Sequence, residues 1–217
     1  MTDRENITSN VLHQGSILAD ASAAVILLHG RGATAESIIR LADALDHEAG
    51  LPLAWLAPQA DGNTWYPVPF NEPLERNEPH RTNALLTIDD LIGSVISAGI
   101  APDRIALIGF SQGACLSLEY AVVGNSTPAF VGALSGGVMG PLDVARQVDG
   151  KRAGMEVFIG CGDQDGHIGL PFADRSASLL RDAGATVDYR IYPGMGHTIN
   201  DDEIGALRDA IAHLAGS

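Results

Sequence analysis

Arg104-Ile-Ala-Leu-Ile-Gly-Phe-Ser-Gln-Gly113 followed by Ala-Cys-Leu-Ser-Leu-Glu-Tyr-Ala-Val122 changes its periodicity once, at Ser111. Up to Phe110 the run is continuously apolar, as in a strand buried on both faces. From Gly113 the spacing turns helical, with Leu116 and Tyr120 on one side. Between the two lies Gly109-Phe-Ser-Gln-Gly113, a Gly-x-Ser-x-Gly pattern in a strand-turn-helix setting. A serine at so tight an apex needs glycine two residues before and two after, where larger side chains would collide. The turn projects the hydroxyl at the carboxyl end of a strand. It also sets it at a helix N-terminus, where free N–H groups and the positive dipole end favour developing negative charge. A structural turn with an incidental serine would give the same five residues; the strand before and the helix after favour a nucleophile.

Outward from this turn, strands and helices alternate. Val11 to Leu18 reads as an edge strand and Ala23 to Leu28 as a buried one. A helix is expected from Thr34 to His47, its apolar side carried by Ile38, Leu41, Ala42 and Leu45, with Gly50 as its stop. Leu51 to Leu56 is the next strand, and Ala57 to His80 is a loop holding five prolines with Trp65, Tyr66 and Phe70. A loop of that length with aromatics reads as a packed functional loop. Asn83 to Ala98 is a helix with Asp89 and Asp90 on its polar side. Strands at Ala129 to Leu134, Met155 to Gly160 and Thr186 to Tyr192, with helices at Pro171 to Ala183 and Asp201 to Ala215, complete the alternation. The pattern predicts an α/β fold, residues 1–217 forming one domain around a mainly parallel sheet covered by helices on both faces, with right-handed crossovers. Ligands of such sheets bind at the carboxyl ends of the strands.

Composition narrows the class. The 217 residues are 46% hydrophobic, enough for a full core, and 13 basic against 27 acidic residues leave a net charge of −14. An acidic surface without a basic patch argues against nucleic acid and anionic membranes as partners. Lys151 is the single lysine, a bias that a halophilic source or a GC-rich genome would each produce. Cys115 and Cys161 fall in a helix and at a strand end, so no disulfide framework is expected. Met1 to Asn10 is polar, and no apolar run reaches the ~18 residues of a membrane span. A cytoplasmic protein is the expectation; its oligomeric state is open.

Three strand ends carry unusual residues. His29-Gly-Arg-Gly-Ala-Thr34 follows Leu28, and its glycines allow a close turn that exposes a backbone N–H. Gly30-x-Gly32-x-x-Ala35 also matches a dinucleotide fingerprint, but the following strand ends at Gln59 with no acid to hold a ribose before Asp61. Gly160-Cys-Gly-Asp163-Gln-Asp165-Gly-His167 offers a carboxylate to orient a histidine. As a calcium loop it places glycine and Ile168 wrongly, and His167 alone makes a poor zinc site. One of its two aspartates is expected only to cap the turn. Tyr192-Pro-Gly-Met-Gly-His197 places a histidine after the last strand, and the order serine, acid, histidine is that of α/β-hydrolases.

With these motifs in hand, the chain resembles the phospholipase/carboxylesterase family of α/β-hydrolases, which includes bacterial carboxylesterases and acyl-protein thioesterases. The resemblance runs from about Ala24 onward through Leu28-His-Gly-Arg-Gly32, Gly109-Phe-Ser-Gln-Gly-Ala114, Ser135-Gly-Gly137, Gly162-Asp-Gln-Asp165 and Gly196-His197. It implies Ser111 as nucleophile, Asp165 as orienting acid, His197 as base, and the backbone N–H groups of Arg31 and Gln112 as the oxyanion hole. Gly62-Asn-Thr-Trp-Tyr-Pro67 and Asn77-Glu-Pro79 resemble a prokaryotic subgroup, and Ile168-Gly169 stands where the family usually has Val-Pro. The expected activity is hydrolysis of small to medium acyl esters without metal or organic cofactor, with a thioesterase or lysophospholipase as alternatives. A non-catalytic binding protein on the same scaffold is the rival of another class. No insertion is long enough for a lid domain, so Trp65 and Tyr66 of the 57–80 loop are expected to wall the substrate pocket, anchoring of the loop to the body being the alternative for Trp65.

Overall fold

The computed structural model describes residues 10–46, 51–148, 150 and 152–216. Seven strands form one sheet: β1 (Val11–Gly15), β2 (Ala23–Leu28), β3 (Leu53–Pro58), β4 (Ile105–Phe110), β5 (Phe130–Leu134), β6 (Glu156–Gly162) and β7 (Thr186–Tyr192), in the order β1-β3-β2-β4-β5-β6-β7. β1 runs antiparallel to β3, and every other neighbouring pair is parallel. This is the α/β-hydrolase arrangement, with helices on both faces. Alternate side chains of the central strands explain the layering. Ile26, Leu28, Leu107, Val131 and Ile159 face α3 (His80–Ser97), α4 (Gln112–Val123) and α5 (Leu170–Asp182). Val25, Leu27, Trp55, Ile108 and Phe158 face α1 (Ala35–Ile39), α2 (Leu41–Leu45) and α6 (Asp201–Gly216).

Register determines where the site can form. Leu28 pairs with Gly109, Phe110 with Leu134, Leu134 with Gly160, and Gly162 with Tyr192. The carboxyl ends of β2, β4, β5, β6 and β7 therefore lie along one rim, and the residues that follow them meet there.

Several elements depart from the expected boundaries. The strand expected to reach Leu18 stops at Gly15 and continues as a short 3-10 turn, Leu18–Asp20. The single helix expected over Thr34 to His47 is two, α1 and α2, because the chain tightens at Arg40 and the Asp43 N–H reaches the Arg40 carbonyl at 3.2 Å. Ile39, Ala42 and Leu45 then share the three-residue spacing of such a turn. His47 and Gly50 lie outside the described residues. β3 begins and ends two residues later than expected, β6 runs two residues further, to Gly162, and α3 starts three residues earlier, at His80. Asp89 is not merely on a polar side: it accepts the hydroxyl of Tyr120. α4 is buried all round, from Gln112 to Val122, so its apolar stripe was only part of its buried surface. Inside it, Glu119 is wholly buried and meets Arg81 and Arg146, and it accepts the N–H of Met139, which ties α3 and the loop after β5 to the helix that follows Ser111.

Candidate active site

Ser111 sits at φ 56° and ψ −115°, a strained conformation for a residue with a side chain. The surroundings force it. A Cβ on Gly109 would lie 2.3 Å from the Gly113 carbonyl carbon, and one on Gly113 would lie 2.2 Å from the Leu28 carbonyl oxygen, so the strand, the helix and β2 close up only through glycine. The N–H of Ser111 is held by the Leu134 carbonyl at 3.0 Å.

His197 reaches this turn from the loop after β7, its Nε2 2.8 Å from Ser111 Oγ and its Nδ1 2.8 Å from Asp165 Oδ2. The other oxygen of Asp165 accepts the N–H groups of His167 (2.8 Å) and Ile168 (3.0 Å). Burial pushes the Asp165 carboxyl up, and the hydrogen bonds from His197, Ile168 and His167 outweigh it, so its pKa falls below the usual carboxylate value. Asp163 has different work. It points outward and accepts the N–H of Gly194 at 2.7 Å, joining the loop after β6 to the loop after β7. A Cβ on Gly162 would strike the Met195 carbonyl oxygen at 2.0 Å, so these two loops pack backbone to backbone.

Arg31 and Gln112 line the same cleft as Ser111. The turn that carries Arg31 is built on His29, which is fully buried. Its Nε2 accepts the Ala60 N–H at 3.1 Å, so Nδ1 carries the proton and donates to the Gly30 carbonyl at 2.8 Å. Burial lowers the pKa of His29, against the opposing pull of that carbonyl, which favours this neutral form. Neither the sequence motif nor its spacing distinguished His29 from the glycines beside it.

The side chains of Arg31 and Gln112 grip the same stretch of the 57–80 loop. Gln112 accepts the N–H of Trp65 (3.0 Å) and donates to the Tyr66 carbonyl (2.8 Å), while the Arg31 guanidinium donates to Thr64, Pro67 and Val68. Asn77, wholly buried, accepts the Val68 N–H at 3.0 Å and closes the loop from the other side.

The cleft has a volume of about 480 Å³, and its apolar wall is Tyr66, Phe70, Phe110 and Ile168, over Cys115. Tyr66 lies where a pocket wall was expected. Trp65 does not, and that expectation is corrected: its ring is turned under the His29 turn, centroids 5.0 Å apart, and its indole N–H donates to the His29 carbonyl at 2.9 Å. The chain bends through residues 65–68, and of the pair it is Tyr66 that lines the cleft. The edge of Trp65 borders a separate surface depression with Gln59 and His80. His167, weighed in the sequence as a metal ligand, stands at the cleft with its ring 4.7 Å from that of His197, and no group of three or more metal-ligating side chains occurs among the described residues. No helix among the described residues is long and apolar enough to cross a membrane.

Comparison with known proteins agrees with this architecture. A solved phospholipase/carboxylesterase from Dyadobacter fermentans is 35% identical and superposes with a TM-score of 0.85 over 93% of this chain and 95% of its own. Acyl-protein thioesterase 1 of Neurospora crassa is 33% identical over 64% of this chain, and a probable carboxylesterase of the SOBER1-like type from Arabidopsis thaliana is 25% identical over 70%. The matches span 58% and 64% of the lengths of those two proteins. The sequence model of the phospholipase/carboxylesterase family matches residues 16–215, and with that span of agreement the chain belongs to this family.

Proposed function

We propose that the protein is a serine carboxylesterase that hydrolyses small to medium acyl esters through an acyl-serine intermediate. The observation that carries this reading is the unbroken relay from Ser111 Oγ to His197 Nε2 and from His197 Nδ1 to Asp165 Oδ2, both at 2.8 Å. In the proposed reaction His197 takes the Ser111 proton as Oγ bonds to the ester carbonyl carbon. The N–H groups of Arg31 and Gln112 hold the oxyanion of the tetrahedral intermediate. The carbon–oxygen bond to the alcohol then breaks, and His197 returns the proton to the leaving oxygen. Water attacks the acyl-serine with His197 again as base, releasing the acid and restoring Ser111. Asp165, held by two N–H groups, keeps the Nδ1 proton in place and stabilises the imidazolium.

A cleft of about 480 Å³ lies within the range of small-ligand sites and suits short and medium acyl chains. The names of its relatives, thioesterase and carboxylesterase, bracket the leaving group. The test is fluorophosphonate labelling with mapping of the modified residue, run beside a hydrolysis screen of oxygen esters, thioesters and lysophospholipids of graded acyl length. Labelling at Ser111 with turnover of short oxygen esters is the expected result; labelling elsewhere, or no turnover of any ester, overturns the reading.

A further inference from the structure

The cleft holds a positive charge that ester hydrolysis does not use. A guanidinium has five N–H donors. In Arg31, Nη1 donates to Thr64 Oγ1 (3.2 Å) and to the Pro67 carbonyl (3.0 Å), and Nη2 donates to the Val68 carbonyl (3.1 Å). These acceptors are a hydroxyl and two carbonyls, so the charge is fixed in place without being neutralised. Arg76, Arg81, Arg146 and Arg190, by contrast, each meet an Asp or Glu. The donors left on Arg31 are Nε–H and one hydrogen of Nη2, two nitrogens that share the guanidinium edge able to take a carboxylate in two parallel hydrogen bonds.

The surroundings leave that edge to a ligand. Among the described residues, no Asp or Glu lines the cleft, and its remaining wall is mostly aromatic and aliphatic. The net charge of −14 does not decide the matter, because charges beyond about 8 Å are screened at physiological salt and Arg31 is the arginine that lines the cleft. Distance to the chemistry is set by covalent structure: in the proposed reaction the N–H of Arg31 binds the oxyanion, so its guanidinium lies one arginine side chain from the ester carbonyl. The grip on Thr64, Pro67 and Val68 means that the side chain is ordered before substrate arrives, which lowers the entropic cost of using it.

We propose that this enzyme selects esters carrying a carboxylate a short linker away from the ester carbonyl, and that the Arg31 side chain is the group that selects them. The inference rests on the serine esterase reading above and names its substrate class. The carboxylate can belong to the acyl part, as in a dicarboxylic half-ester, or to the alcohol part, as in an acyl hydroxy-acid.

Two matched pairs separate these sources: monoethyl glutarate against ethyl glutaramate, and butyryloxyacetate against butyryloxyacetamide, each followed by pH-stat titration. Within a pair the substrates are isosteric and differ in charge. In the wild-type protein kcat/KM should favour the carboxylate by about tenfold or more in one pair, and salt should erode that preference. In Arg31→Gln the carboxylate-to-carboxamide ratio should fall to one or below, whatever loss the two substrates share. Thr64→Val, which removes one anchor but keeps the charge, should retain the ratio. A wild-type ratio of one or less in both pairs, or a ratio unchanged in Arg31→Gln, overturns the proposal. Turnover of the carboxamides and labelling of Ser111 would persist in that case, whereas their loss overturns the esterase reading and this inference with it.

Discussion

The amide of Gln112 accepts the backbone N–H of Trp65 at 3.0 Å and donates to the carbonyl of Tyr66 at 2.8 Å, so the residue after Ser111 is bolted to a loop more than forty positions earlier in the chain. Its own backbone N–H is one of the two proposed oxyanion donors. Gln112→Ala keeps that N–H but releases the loop. Such a change should lower kcat by about ten- to a hundredfold with KM for a short ester little altered, because a displaced donor is felt most in the transition state. It also strands the buried N–H of Trp65, costing on the order of 1–3 kcal/mol, while the Tyr66 carbonyl keeps the Thr64 hydroxyl. Steady-state kinetics and thermal melts would check both; a lowered Tm with unchanged kcat would make the clamp purely structural.

The two aspartates after β6 should behave differently. Asp165→Asn removes the partner that holds the His197 Nδ1 proton and should slow turnover on the order of 10⁴-fold. Asp163→Ala loses the Gly194 N–H and should cost about 1 kcal/mol of stability, with turnover retained. Ser111→Ala and His197→Ala should each cost about a millionfold while the fold is kept. Comparable turnover losses for Asp163→Ala and Asp165→Asn would show that the loop, not the carboxylate, is what matters.

Trp65 is 5% exposed and anchors the loop under the His29 turn. Trp65→Ala should therefore destabilise by about 3–5 kcal/mol and reduce activity on acetyl, butyryl and octanoyl esters in equal proportion. Phe70→Ala, at the cleft wall, should instead shift the acyl-length preference, by roughly 1 kcal/mol for each acyl methylene that the ring no longer covers. Chain-length profiles of the two variants decide it, and a selective loss of octanoyl turnover in Trp65→Ala would return that residue to the pocket.

Glu203 is wholly buried, its Oε1 has no partner, and a Cβ on Gly160 would lie 2.0 Å from it. Burial pushes its carboxyl up to about 7, against the hydrogen bond from the Asn200 N–H. A folded pKa above the unfolded one means that the stabilising contribution is complete below about pH 4.5 and is lost as pH rises through about 7. The wild-type protein should lose on the order of 2–3 kcal/mol from this group between pH 5 and 8. Glu203→Gln does not titrate, so its stability advantage in urea melts should grow over that interval; parallel pH profiles for the two proteins would refute the assignment.

Periodicity and turn chemistry along the chain carried the alternation of strands and helices, and they marked the three strand ends where Ser111, Asp165 and His197 stand. Those signals are local. Glycine at 109 and 113 shows in the sequence because a tight turn excludes side chains, and a continuous apolar run shows because both faces of a central strand are covered. Strand register, by contrast, is a relation between distant segments, and it alone brings residues 31, 111, 165 and 197 to one rim. The choice of Asp165 over Asp163 rested on the family pattern, since both follow β6 within three residues; the surroundings of each depend on how the loop from β7 packs against them. The same holds for Trp65 and Tyr66. Both are aromatic and adjacent, and the bend that holds them turns Trp65 into the body and Tyr66 to the cleft. Which of them faces the cleft was decided by Gln112 and Arg31 holding the loop's backbone, a set of hydrogen bonds between residues more than thirty positions apart that no local pattern can encode.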